Sequence, residues 1–162
     1  MTLKQAIKEF KSTNSYKTQS DIHWFVWLLE NPKSPFRLSG AVNLFNHDII
    51  HILLNRGMDV DDEAYVIGFT MGNSEPSSSW AKWAFRLSAR WLYPDGYRFS
   101  KTDISEFDRG WEYGSTLKTK NIHRKMWTEH SISEKLIQIR KKMGIDIINT
   151  KEGDASYWKG YL

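Results

Sequence analysis

At 162 residues, 40% of them hydrophobic and 26% charged, the chain is long enough to close one core and too short for two comfortable domains. A mean hydropathy of -0.56, with no apolar-rich run longer than residues 22–29, leaves no candidate for a membrane-spanning helix. The absence of cysteine excludes thiol nucleophiles, iron–sulfur clusters and Cys-based zinc sites, while a net charge of +4 permits an anionic partner without demanding one.

The opening MTLKQAIKEFKST is polar and amphipathic, so neither a secretory signal nor an Arg-rich transit peptide is expected. Behind a Thr2 cap, Leu3, Ala6, Ile7 and Phe10 fall at helical spacing, and the polar residues 13–15 break that pattern. Ser20 and Asp21 cap a dense apolar segment at 22–29, which Pro32 and Pro35 end. From residue 38 or 40 to 54 the sequence predicts a helix apolar around most of its circumference, and therefore buried. Asn55-Arg-Gly57 stops it, and Asp59-Val-Asp-Asp-Glu63 opens the next helix with acids where the helix dipole favours them.

That helix runs to about Gly72, and its Ala64, Gly68 and Gly72 recur every four positions, so one face admits a neighbouring backbone. Residues 73–79 read as a loop. Residues 80–91 form an amphipathic helix with Trp80, Trp83, Ala84, Leu87 and Trp91 on one face and Lys82, Arg86 and Arg90 aligned on another. Residues 93–96 are a turn. Further helices are predicted at 103–117 and 131–143, the second opened by Ser131-Ile-Ser-Glu134 at capping-box spacing. No segment alternates with period two. The expected fold is all-α: a single compact multi-helix bundle over 1–145 with a buried metal-binding helix pair, then a polar tail at 146–162.

The chemistry concentrates in His47-Asp48-Ile-Ile-His51. At about 100° per residue, His47 and His51 lie roughly 40° apart on one helix face, with Asp48 about 60° beyond. Two His at i, i+4 can present two imidazole nitrogens to one cation, as HExxH zinc helices do. Glu63 follows twelve residues after His51, and an antiparallel return could bring it to the same arc. The alternatives are a buried hydrogen-bonded cluster and an exposed helix face. In an apolar helix, each of these polar groups would need a partner.

His47-Asp48-x-x-His51, followed by eleven residues and Glu63, resembles the signature of the coenzyme Q biosynthesis protein 4 family of the ubiquinone pathway. Three further blocks are similar in order and spacing: Phe107-Asp-Arg-Gly-Trp-Glu-Tyr-Gly114, Trp127-Thr-Glu129, and Ile139-Arg-Lys-Lys-Met-Gly144-Ile145. Together they cover roughly residues 40 to 145. The resemblance implies an all-helical fold and a divalent metal held by His47, Asp48, His51 and Glu63, with Asp48 and Glu63 also catalytic. Zinc is the first expectation; iron, manganese and cobalt are the other ions considered. It further implies oxidative decarboxylation of a prenylated hydroxybenzoate ring or a related prenylated aromatic compound. A homodimer or quinone-biosynthesis complex, and a cytoplasmic protein peripheral at the inner face of a membrane, are implied as well. Where family members commonly carry an Arg shortly before the His-Asp pair, this chain has Val42-Asn-Leu-Phe-Asn46.

Two other features stand apart from the motif. The Trp and Arg helix either lies on an anionic leaflet or is an ordinary helix burying its Trp face. Between residues 117 and 143, eight Lys/Arg face only Glu129 and Glu134, which reads as a solvated basic face or a lipid or partner docking surface, with nucleic acid least expected. His23, His123 and His130 are isolated and carry no assignment. The rival functions are a non-catalytic scaffold binding lipids or quinone intermediates and a metal-dependent hydrolase.

Overall fold

The structure is a computed structural model that describes residues 1–13, 44–91 and 98–146. The helix expected at 22–29, the first residues of the site helix, the turn at 93–96 and nearly all of the tail lie outside the described residues. Among those described there are seven α-helices and no strand, so the fold is all-α as the periodicity predicts. The helices are α1 (Leu3–Thr13), α2 (Leu44–Leu54), α3 (Val60–Asn73), α4 (Ser79–Trp91), α5 (Lys101–Thr116), α6 (Glu129–Ile132) and α7 (Leu136–Met143); a short 3-10 turn, Ile122–Arg124, precedes α6. None is long and apolar enough to cross a membrane.

The parallel pair α3 and α5 forms the spine, Gly68 meeting Phe107 and Gly72, one turn on, meeting Trp111. A Cβ added at Gly68 would stand 2.0 Å from the Phe107 carbonyl oxygen, and one at Gly110 would stand 2.0 Å from that of Tyr65. Only glycine lets the two backbones lie this close, which is what the four-residue spacing of small side chains on α3 implied. Helix α5 begins two residues earlier than the sequence pattern suggested. Ser100 accepts from the Asp103 N–H, and the Asp103 carboxylate accepts from the Ser100 N–H, so this reciprocal cap fixes the first turn.

Two apolar cores flank the spine. On one side Leu3, Ala6 and Phe10 of α1 meet Ile49, Ile50, Ile52, Leu53 and Leu54 of α2, with Tyr65, Val66 and Phe69 of α3 and Leu136, Ile139 and Met143 of α7. On the other, α4 lays Ala81, Phe85 and Ala89 against Ala64, Met71, Phe99, Ile104 and Phe107. The Phe85 and Phe107 rings stack there with centroids 4.9 Å apart. The buried face of α4 is therefore not its Trp face, which corrects the ordinary-helix expectation.

The C-terminal helix expected over 131–143 is two helices. Thr128, not Ser131, caps the first: its hydroxyl accepts from the Ser131 N–H, and Ser131 Oγ accepts from the Thr128 N–H. Between the two helices the chain pairs with the N-terminus. The Leu3 N–H donates to the Glu134 carbonyl and the Leu136 N–H to the Met1 carbonyl, forming an isolated bridge between Thr2 and Lys135. Backbone groups of residues 134–136 are thus spent on the N-terminus, and a continuous helix cannot form through them.

The basic segment is not wholly solvated either. Arg140 is buried and donates from Nε to the Leu53 carbonyl at 2.9 Å and from Nη2 to that of Ile52 at 2.7 Å. It satisfies the orphan carbonyls at the C-terminus of α2 with a cation, where the helix dipole favours one. Burial holds its pKa down at about 10, which leaves it charged at neutral pH.

Candidate metal centre

Helix α2 carries His47 and His51 one turn apart, and the turn at residues 55–59 reverses the chain so that the first turn of α3 returns Glu63 to them. His51 is completely buried, while His47 and Glu63 are partly covered. Glu63 spans the pair: Oε2 stands 3.5 Å from His47 Nε2, and Oε1 stands 3.5 Å from His51 Nε2. The two imidazole rings meet edge to face at 4.7 Å between centroids. One ligand atom from each of His47, His51 and Glu63 lies within 4.8 Å of the other two, so the three could hold one metal ion.

The spacing tests that fit. Two ligand atoms each about 2.1 Å from a tetrahedral ion stand roughly 3.4 Å apart. A good charge-assisted hydrogen bond would draw nitrogen and oxygen to about 2.8 Å. The observed 3.5 Å matches ligands arranged around a shared cation better than a direct hydrogen bond. Neither ring nitrogen of His51 has a well-formed hydrogen bond among the described residues, although the ring is sealed from solvent. A buried donor set of two imidazoles and a carboxylate suits zinc and other divalent first-row ions.

Asp48 does not join this trio. It is buried on α2 with Oδ2 lacking a hydrogen-bond partner among the described residues. Burial raises its pKa to about 6, against the pull of His51 and Lys11 and with a further push from Glu63. Sequence reasoning placed it on the same arc, and it is indeed an electrostatic neighbour of His51; as a ligand it stands apart from the three that converge. The histidines diverge as well. Burial, opposed by Glu63 and reinforced by His51, lowers His47 to about 4. For His51, burial acts downward too, but Glu63, the Gly57 carbonyl and Asp48 together carry it above the usual value.

Residues outside the motif hold this geometry. Arg56 is buried in the α2–α3 turn, with Nη1 3.0 Å from Asp62 Oδ1 and 3.3 Å from Glu106 Oε2. Its guanidinium lies 3.7 Å from the centre of the Tyr65 ring. Asp62 also accepts from the Gly57 N–H at 2.7 Å, and Asn55 takes the left-handed conformation that ends α2. The clamp closes on the residue beside Glu63, so it fixes the angle at which that carboxylate meets α2. At the other end of α2, Asn46 donates to the carbonyl of His123 at 2.7 Å, tying the 3-10 turn beside His47.

Composition alone read Asp62 as an ordinary first-turn acid and Arg56 as part of a helix stop. The available signal was an arginine between two turn-forming residues, with a run of acids at 59–63 beginning three positions later. His123, left unassigned by the sequence, is buried and accepts on Nε2 from Arg124 Nε, and burial lowers it to about 4.

No family model, curated protein or solved structure matches this chain.

Proposed function

We propose that His47, His51 and Glu63 bind a divalent metal ion that serves oxidative decarboxylation of a prenylated hydroxybenzoate or a related prenylated aromatic acid. The observation that carries the reading is the 3.5 Å spacing of Glu63 from both imidazoles, one of them the fully buried ring of His51. The resemblance of the HDxxH-x11-E motif to the coenzyme Q biosynthesis protein 4 family supports the choice of substrate. A bound divalent ion would supply a Lewis acid for the ring carboxylate.

This chain's residues do the rest. His47, His51 and Glu63 would hold the ion with three protein ligands, the number common in catalytic rather than structural zinc sites. Glu63 joins α3 to α2 and fixes the site's shape, while Asp48 offers a second carboxylate beside it as base or orienter. In the overall reaction the bond from ring carbon to carboxylate breaks and carbon dioxide leaves. The ring carbon gains one atom of dioxygen as hydroxyl, and the other leaves as water with two electrons and two protons from an external reductant.

The test begins with elemental analysis of purified protein beside His47→Ala and His51→Ala. Near-stoichiometric metal, lost in both variants, is expected; carbon dioxide release from a prenylated hydroxybenzoate supplied with dioxygen and a reductant would then follow metal content. Metal-free protein that refuses divalent ions would overturn the metal centre. Metal without turnover, in a protein that co-purifies with a prenylated compound, would replace the enzyme by a lipid-binding scaffold.

A further inference from the structure

We infer that the outer face of α4 is a docking surface for an anionic lipid bilayer. Trp80, Trp83, Leu87 and Trp91 are 71, 60, 44 and 64% exposed, although large apolar side chains normally face inward. At about 100° per residue they fall within an arc of roughly 80°, and the centre of that arc lies about 160° from the buried row of Ala81, Phe85 and Ala89. The helix therefore turns one apolar face to the core and a second, aromatic face directly away from the protein. A helix so placed can lie flat in an interface with the whole molecule behind it.

Shape, charge and side-chain chemistry select the occupant. Three tryptophans and a leucine at these exposures present on the order of 500 Å² of apolar surface, since an aromatic side chain buries 150–250 Å². That is as large as the largest apolar patch a monomer ordinarily exposes, the kind that commonly marks a binding surface. It forms a line about 16 Å long rather than a disc. Indole is apolar in its ring and polar at its N–H, which suits the boundary between acyl chains and headgroups.

Beside the stripe run Lys82, Arg86 and Arg90, one turn apart. Asp108 of α5 pairs with Lys82 at 3.0 Å and with Arg86 at 3.5 Å, and the Arg90 guanidinium lies 5.6 Å from the centre of the Trp91 ring. Three cations against that one carboxylate leave the row positive, complementary to lipid phosphates and to the acidic headgroups of an anionic leaflet. The inference rests on α4 alone. It also deepens the proposed function, since a prenylated substrate would partition into such a bilayer, but neither claim requires the other.

The experiment is flotation of the purified full chain with vesicles of phosphatidylcholine alone and of equimolar phosphatidylcholine and phosphatidylglycerol, with metal content measured in parallel. Wild-type protein is expected to float with the anionic vesicles, and brominated phosphatidylcholine in them should quench its tryptophan emission. Arg86→Gln and Arg90→Gln should each weaken binding roughly fivefold. The triple variant Trp80→Ser/Trp83→Ser/Trp91→Ser should stay folded by circular dichroism, keep its metal and lose flotation.

Three results would overturn the inference: equal binding to neutral and anionic vesicles, undiminished binding by the tryptophan variant, or failure to bind either vesicle. Failure accompanied by a dimer that the tryptophan variant dissolves would assign the face to a second copy. Should the triple variant not fold, quenching of wild-type emission by the brominated lipid decides alone. None of these outcomes alters the metal result, so the two readings fail separately.

Discussion

The two sides of the α3–α5 spine break the usual rule of burial in opposite directions. On the α2 side, charged and polar groups go inside: His51, Asp48, Arg56, Asp62 and Arg140 are all buried within or beside an apolar core. On the α4 side, three tryptophans go outside while alanine and phenylalanine fill the core. Most of the buried polar groups find their partners within the fold, as Arg56 does in Asp62 and Glu106, and Arg140 in the carbonyls of α2. The polar groups that lack such partners, and the rings that face outward, are where a partner from outside the chain is called for.

The spine separating the two regions gives the largest expected effect. Gly68→Ala would set a methyl group 2.0 Å from the Phe107 carbonyl oxygen, which belongs to backbone and cannot swing away. A loss of more than about 4 kcal/mol is expected, in the class of severe overpacking, and both sides should melt together in thermal unfolding. Separate transitions for the α2 and α4 sides would show that the spine does not couple them.

Next comes Arg56→Met, which takes the buried cation from Asp62, while Glu106 keeps its pairing with Arg109. Removing one partner of such a pair costs about 3–5 kcal/mol. Metal affinity should fall with it, because the clamp grips the residue next to Glu63. A chemical denaturation curve and a metal titration on the same variant check both parts. Unchanged metal affinity at lowered stability would mean that the turn supports the fold but does not aim the carboxylate.

His51→Ala attacks the site directly. It should lose stoichiometric metal and about 2–3 kcal/mol, since the ring is wholly buried against Phe10 and the apolar face of α2. Glu63→Gln is milder, weakening metal binding while the fold stays intact. Equal metal content in wild type and the His51 variant, measured by elemental analysis, would remove the ligand assignment.

A pH effect belongs to the same side. His123 titrates near 4 in the folded chain because burial, and then Arg124, disfavour its charge, against about 6.5 when unfolded. A depressed folded pKa means that the unfolded state takes up the proton first. This stability is therefore fully present above pH 6.5 and is lost as pH falls towards 4, by about 3 kcal/mol in all. Urea midpoints of wild type and His123→Gln, compared at pH 7 and pH 4.5, should converge at the lower pH; parallel curves would contradict it.

How much of this was legible depended on the kind of signal. Period and spacing gave the helices, the small-residue stripe of α3 and the common face of His47, His51 and Asp48, because all three are properties of a regular helix. Glu63 entered through the motif and an assumed return of the chain, and the convergence that leaves Asp48 out was not legible. Long-range pairing was not legible: the Thr2 and Lys135 bridge that splits the last helix uses backbone groups, which carry no residue signature. Arg140 was read among the basic surface residues because charge is visible in sequence and burial is not. On α4 the amphipathic pattern was clear, but both an Ala-Phe-Ala row and a Trp-Leu-Trp row qualify as apolar, and periodicity does not say which faces the core. Packing decides it: Ala81, Phe85 and Ala89 are the residues that meet Ala64, Met71, Ile104 and Phe107 of α3 and α5.

The smallest expected effect is also the sharpest version of the comparison, because it is made two residues apart on one helix. Phe85 is buried and stacks on Phe107, so Phe85→Ala should cost about 3–5 kcal/mol. Trp83 has the larger ring, and if ring size set stability its loss would be worse. Because it points away from the fold, Trp83→Ser should change unfolding free energy by no more than about 0.5 kcal/mol. Urea unfolding of the two variants side by side makes the measurement. A cost at Trp83 approaching that at Phe85 would mean that the indole is covered in the folded chain, and the outward face of α4 would then belong to the fold rather than to a partner.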